Sequence, residues 1–120
     1  MRYLCLLYGD ESWHRLPPAE KAAAIGAHRT FIEGLKKSGH YIASDPLQHS
    51  QTARTLTTKN GKIETTDGPF AETKEQLGGY YMIEAKNMDE ASAIAASIPT
   101  ARFGWIEVRP VLDLPNVRSQ

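Results

Sequence analysis

Thr66-Asp67-Gly68-Pro69-Phe70-Ala71-Glu72-Thr73-Lys74-Glu75-Gln76-Leu77-Gly78-Gly79-Tyr80-Tyr81 is the stretch around which the rest of the chain is arranged. It sets an Asp-Gly-Pro turn, a charged Glu-Thr-Lys-Glu run and a Gly-Gly pair between two strand-like segments. A hairpin connection takes about two to five residues, so this one is oversized. Pro69 removes a backbone donor and Gly68 permits positive φ, which predicts a stiff turn followed by a helical turn. Carboxylates and a lysine beside a glycine turn also make it a candidate for holding a ligand.

Outward from this stretch, Gly79–Ala85 alternates as a strand, with Tyr81, Ile83 and Ala85 on one face and Tyr80, Met82 and Glu84 on the other. Asn87 and Glu90 make a capping-box pattern for a helix whose buried stripe is Ala91, Ile94, Ala95 and Ile98, and Pro99 stops it. Phe103–Arg109 is the last strand, and Pro110–Gln120 is a tail. On the other side, Ala53–Thr58 and Lys62–Thr66 flank Asn60-Gly61, the dipeptide that a type I′ hairpin turn requires. Tyr41–Ala43 is a short strand, continued loosely through Asp45-Pro46-Leu47. Before it, Pro17 and Pro18 open a helix that runs to about Ser38, with Gly39 just past its end. Ile25, His28, Phe31, Ile32 and Leu35 fall in one core-facing stripe of that helix, with His28 in its middle. Arg2–Tyr8 is a strand apolar on both faces.

The order strand, helix, strands, strand, helix, strand predicts an α+β fold, a ferredoxin-like βαβ-βαβ sandwich with an extra β-hairpin. Residues 1–110 make one domain and 111–120 its tail. Two helices cover one face of such a sheet, yet the strands carry apolar side chains to both. Soluble monomers rarely expose an apolar patch of several hundred Å², so sheet-to-sheet packing into a homodimer is expected.

The chain has 120 residues and zero formal net charge, without the basic footprint of a phosphate-backbone binder, so no nucleic-acid partner is expected. Its longest apolar run, Tyr3–Tyr8, is too short to span a bilayer, and the start of the chain lacks a small-residue cleavage site. No membrane partner is expected. A lone cysteine, Cys5, fits a reducing cytoplasm and reads as a small core residue. His14, His40 and His49 lack metal-ligand spacing, and no phosphate loop, nucleophile elbow or dinucleotide fingerprint occurs, so no metal or cofactor is expected.

Thr66 through Glu75 followed by Gly78-Gly79-Tyr80-Tyr81 closely resembles the signature of the DGPFAETKE family within the YCII-related domains. Met1-Arg2-Tyr3-Leu4 through Tyr8-Gly9-Asp10-Glu11 resembles that family's first strand, and Ile98-Pro99 with Ile106-Glu107-Val108-Arg109-Pro110 resembles its closing segment. The resemblance implies a dimeric α+β barrel of ferredoxin-like subunits. It also implies companions or fused domains among extracytoplasmic-function sigma factors for some relatives. For the wider YCII-like group it implies a His–Asp pair, with one relative that eliminates chloride from a chlorinated hydroquinone. Ala27-His28, with Gly39 and Pro46-Leu47 following, resembles the surroundings of that group's helix histidine, and Asp10 resembles its acidic partner.

His28 and Asp10 are therefore the candidate acid–base pair, the histidine as base and the aspartate as its orienter. The alternative for His28 is a core histidine bonded to a backbone carbonyl or a tyrosine. Asp67 either caps its turn or holds a substrate at a cavity mouth. Arg54 and Tyr80 are candidates for fixing a carboxylate or phenol. Glu72, Lys74 and Glu75 form either a solvated turn or an inter-subunit ion pair, and Lys74 otherwise meets an anionic substrate. Two functions remain open on these residues: an enzyme acting by proton abstraction or elimination on a small ring or carbonyl compound bound between helix and sheet, or a non-catalytic ligand-binding or regulatory dimer. A purely structural barrel is the third reading.

Overall fold

Strand β1 (Arg2–Gly9) begins the chain in the computed structural model, which describes residues 1–115. A 3-10 turn, Glu11–Arg15, leads into helix α1 (Pro18–Ser38). Pro18 occupies the first turn, where a missing N–H costs nothing. Gly39 ends the helix at φ 80°, its N–H bonding Lys36 and that of His40 bonding Leu35 (2.9 Å). Strand β2 (Tyr41–Pro46) follows, then a 3-10 turn at Ser50–Thr52 and the hairpin β3 (Arg54–Lys59) and β4 (Lys62–Asp67). Both turn residues of that hairpin, Asn60 and Gly61, have positive φ, as a type I′ turn demands. Strand β5 (Gln76–Glu84), helix α2 (Met88–Ala96), a 3-10 turn at Ala101–Phe103 and strand β6 (Gly104–Pro110) complete the fold.

The four-stranded sheet has the order β2-β5-β1-β6 with antiparallel neighbours, and β3–β4 stands apart as a two-stranded ribbon. This is the split βαβ arrangement expected from the element order, with the hairpin inserted between β2 and β5. Register decides the two faces. Tyr3 opposite Ile83 and Cys5 opposite Tyr81 point toward the helices and are buried with Leu35, Ala91, Ala95 and Ile98. Ile83 is fully enclosed, which contributes roughly 2 kcal/mol. Burial also pushes the Cys5 thiol up to about 11, as suits a core residue rather than a nucleophile. Leu4 opposite Met82, Leu6 opposite Tyr80 and Tyr8 opposite Trp105 share the other face, outside the buried core. Trp105 there is 68% exposed.

Several local expectations are corrected. No helical turn forms over Glu72–Glu75, and β5 begins at Gln76 rather than Gly79, because Gln76 and Leu77 find partners in Gly9 and Tyr8 beyond a bulge at Gly78 in β5. Ile25 is 52% exposed, since α1 seats on the core through Phe31, Ile32 and Leu35 in its C-terminal half. Asn87 caps α2 by accepting from the Glu90 N–H, but Glu90 reaches back to the Lys86 N–H, so the reciprocal half of the box is shifted by one residue. Phe103 lies in the 3-10 turn before β6. Among the described residues no helix is long and apolar enough to cross a membrane.

Candidate functional site

His28 projects from the middle of α1 onto the sheet, and Tyr81 rises beneath it from β5. Their contact is a 2.6 Å hydrogen bond between Nδ1 and the phenol oxygen, with the rings stacked at 5.9 Å and Phe31 edge-on to Tyr81. Burial pushes the Tyr81 phenol up to about 12 and lowers the pKa of His28. At neutral pH both groups are therefore neutral, and the tautomer of His28 decides whether the phenol O–H donates to Nδ1 or the Nδ1–H donates to the phenol oxygen. Asp10 takes no part. Its carboxylate accepts from the Ser12 N–H at 2.6 Å and caps the turn Glu11–Arg15. Tyr81 pairs with Cys5, and from there to Asp10 is about 16 Å of strand. The sequence thus brings His28 to a tyrosine, not to an acid.

The other sequence candidates scatter. Arg54 and Asp67 pair with each other at 3.4 Å across the exposed base of the hairpin. Tyr80 donates to Asp45 at 2.8 Å, one strand away on the sheet. Glu72 and Lys74 are exposed, and Lys74 acts at a distance on Asp10, whose carboxyl is held low chiefly by its bonds to Ser12. The stretch that carries them is a clasp. Gly68, at φ 103°, donates to Ala53 (2.7 Å) and accepts from the Thr55 hydroxyl (2.9 Å), while the Gln76 amide holds the carbonyls of Ala71 and Thr73.

The clasp forms one wall of a cleft of about 580 Å³, with residues drawn from 69–77 on one side and 47–55 on the other. Tyr8 lines it too, and Tyr8 shares its face with Leu4 and Leu6, so the cleft opens on the helix-free side of the sheet. His28, Asp10, Asp67, Arg54, Tyr80, Glu72 and Lys74 are all absent from its lining. What it holds instead is His49, backed by Glu11. The Glu11 carboxylate accepts from the Ser50 N–H (2.7 Å) and hydroxyl (2.5 Å) and lies 3.5 Å from His49 Nε2. Burial alone would raise the Glu11 pKa, but the two Ser50 bonds and His49 outweigh it and the net shift is downward. His49 Nδ1 accepts from the Gln51 N–H at 3.2 Å, which places the proton of the neutral ring on Nε2, toward Glu11. His14 packs behind, its ring 5.3 Å from that of His49 and its Nε2 enclosed without a hydrogen-bond partner. Burial, then His49, lowers its pKa. Among the described residues no group of three such side chains could share a metal ion.

Sequence reasoning settled on Asp10 and missed the next residue, Glu11. It set His49 aside for want of metal spacing. The Glu11–Ser50 contact spans 39 positions, and no local pattern announces it.

The YCII-related domain profile matches residues 1–115 of the chain. The chain belongs to the YCII-related family. An uncharacterised protein of Rhizobium meliloti (strain 1021) is 35% identical to this YCII-related chain over 118 residues, covering 92% of each. Among solved structures, 5-chloro-2-hydroxyhydroquinone dehydrochlorinase from Burkholderia phenoliruptrix AC1100, in complex with 2,5-dihydroxybenzoquinone, superposes with a TM-score of 0.56 over 97% of this chain and 98% of that one. At 18% identity the likeness shows a shared YCII fold.

Proposed function

We propose that this YCII-related protein binds a small molecule in the cleft between 47–55 and the 69–77 clasp and moves a proton on it, with His49 as base and Glu11 as its orienter. The observation that carries this reading is the His49–Glu11 pair in the wall of the cleft. The Glu11 carboxylate, 3.5 Å from Nε2, favours the proton there, which leaves Nδ1 as the basic atom. Its competing bond to the Gln51 N–H, at 3.2 Å, is long enough for a substrate proton to displace. The reaction class is proton abstraction or elimination on a small ring or carbonyl compound, and the dehydrochlorinase on the same fold is compatible with it. His28, its Nδ1 bonded to Tyr81 and its ring outside the cleft lining, is assigned a structural role.

The test is carbon-bound deuterium exchange, followed by NMR in D2O across a panel of cyclic ketones and hydroxylated aromatics. Wild type should catalyse exchange on at least one compound, and His49→Gln should slow it about 10²- to 10⁴-fold. Full activity in His49→Gln would remove the base.

A second reading, a non-catalytic regulatory dimer working beside a sigma factor, draws support from the fact that both His49 nitrogens already have partners. It expects bound ligand without turnover. Both readings include a homodimer closing over Leu4, Leu6, Tyr8, Met82 and Trp105, which would roof the cleft with a second copy. Sedimentation of wild type against Leu6→Glu checks this: a monomer in both would reject it.

A further inference from the structure

The cleft's polar side chains have spent their protons. Thr52 donates to the His49 carbonyl (2.8 Å), Thr55 to that of Gly68 (2.9 Å) and Thr73 to that of Glu75 (2.6 Å). Ser50 donates to Glu11, and the Gln76 amide nitrogen donates to Ala71 and Thr73. A hydroxyl has one proton and two lone pairs, so each of these threonines and the serine turn only acceptors to a guest. Gln76 likewise keeps only its carbonyl oxygen. Among the described residues, the side-chain donors left in the lining are the Tyr8 hydroxyl and the Gln48 amide. Formal charge points the same way. Glu75 lines the cleft, Glu11 stands directly behind Ser50, and no lysine or arginine among the described residues is in the wall. Of the two cations nearest in sequence, Arg54 pairs with Asp67 and Lys74 is exposed outside the lining. Phe70, 90% exposed at the rim, with Leu47, Pro69 and Leu77, supplies an apolar bed.

We propose that the cleft selects a small organic cation, an amidinium, guanidinium or protonated amine on a flat apolar frame, and rejects carboxylates and phosphates. A wall richer in side-chain acceptors than donors, with a carboxylate in it, hydrogen-bonds such a group and leaves an anion poorly paired, which costs it more than the pairing of a neutral guest would gain. Glu75 meets the charge and the Phe70 face stacks on the frame. This rests on the cleft being the binding site proposed above, but not on His49 acting as a base.

Three probes of one shape isolate the charge: benzamidinium, benzamide and benzoate, titrated into the full chain and followed by amide-resolved NMR. Benzamidinium should shift resonances within 48–55 and 69–77 and bind at least about tenfold more tightly than benzoate. Glu75→Gln should weaken benzamidinium about tenfold and leave benzamide within about twofold. Glu75 is exposed and makes no side-chain hydrogen bond, so the variant should fold as wild type does. Benzoate binding as tightly as benzamidinium, shifts confined to other parts of the chain, no shift with any probe, or an unchanged benzamidinium affinity in Glu75→Gln would each overturn the assignment. His49→Gln separates the two readings: it should lose proton exchange while keeping the preference for benzamidinium. Retained exchange there counts against the base alone.

Discussion

Replacing Tyr81 by phenylalanine deletes one oxygen and leaves the ring that packs against Phe31 and His28. That oxygen lies 2.6 Å from His28 Nδ1 in a residue that is 4% exposed. The loss combines a neutral hydrogen bond, net about 0.5–1.5 kcal/mol, with part of the roughly 1–3 kcal/mol for stranding a buried acceptor. His28 is only partly buried and recovers some hydration, so about 1–2 kcal/mol is expected overall. In a domain of this size that lowers Tm by roughly 5–10 °C. Urea titration followed by tryptophan fluorescence gives the free energy, and a cycle with His28→Leu gives the pair term, expected at about 1 kcal/mol. A second readout is specific to the bond. If the phenol is the donor, its proton on Nδ1 favours neutral imidazole, and Tyr81→Phe should raise the His28 pKa from its burial-lowered value, seen in the ring proton shifts. An unchanged urea midpoint together with an unchanged histidine titration would refute a donated phenol proton and return His28 to candidacy as a base.

Glu11→Ala should cost about 2–4 kcal/mol by removing the acceptor of both Ser50 bonds, and hydrogen exchange should show amides 49–53 losing protection first; uniform loss across the sheet would contradict the staple. Gly79→Ala should destabilise by about 1–3 kcal/mol, because its Cβ would stand 3.0 Å from the Asp45 carbonyl, whereas Gly78→Ala, with nothing closer than 3.8 Å, should cost under about 1 kcal/mol; equal midpoints for the two would contradict this. Acid should unfold the chain in two stages. His28 and His14 have folded pKa values below the ordinary 6.5, so the unfolded chain takes up their protons first, and stability falls as pH drops from about 6.5 through the lowered values. The lowered carboxyls of Glu11, Asp10 and Glu90 add a second loss below about 4.5. Urea midpoints measured from pH 8 to 3 should show both stages, and a flat response between pH 7 and 5 would deny the first.

Features set by neighbours in the chain were legible. Asn60-Gly61 dictated its turn, Pro18 and Gly39 bounded α1, and Asn87 capped α2. The alternation in β5 separated Tyr81, Ile83 and Ala85 from Tyr80 and Met82, and the structure turns the first set toward the helices. Features set by tertiary pairing were not. The charged run Glu72–Glu75 has helical propensity, yet β5 captures Gln76 and Leu77 into the sheet and the clasp's own hydrogen bonds fix the rest. The partner of His28 lies 53 positions away, and only the β1–β5 register decides that a tyrosine rather than Asp10 meets it. The stretch from Thr66 to Tyr81 turned out to build a cleft wall that includes Glu75 but not Asp67, Glu72 or Lys74.

The free-standing hairpin also alters how the sheet comes together in time. To pair β2 with β5, the chain must bring Pro46 beside Gly79 across everything between them. A ribbon from Arg54 to Asp67 that zips first on its Asn60-Gly61 turn roughly halves the chain left to close, and each halving spares about 0.6 kcal/mol of closure entropy. Zipping takes microseconds, ahead of the slower search between distant strands. The insertion therefore shortens the gap between β2 and β5, and a lesion at Gly61 should slow folding more than it speeds unfolding.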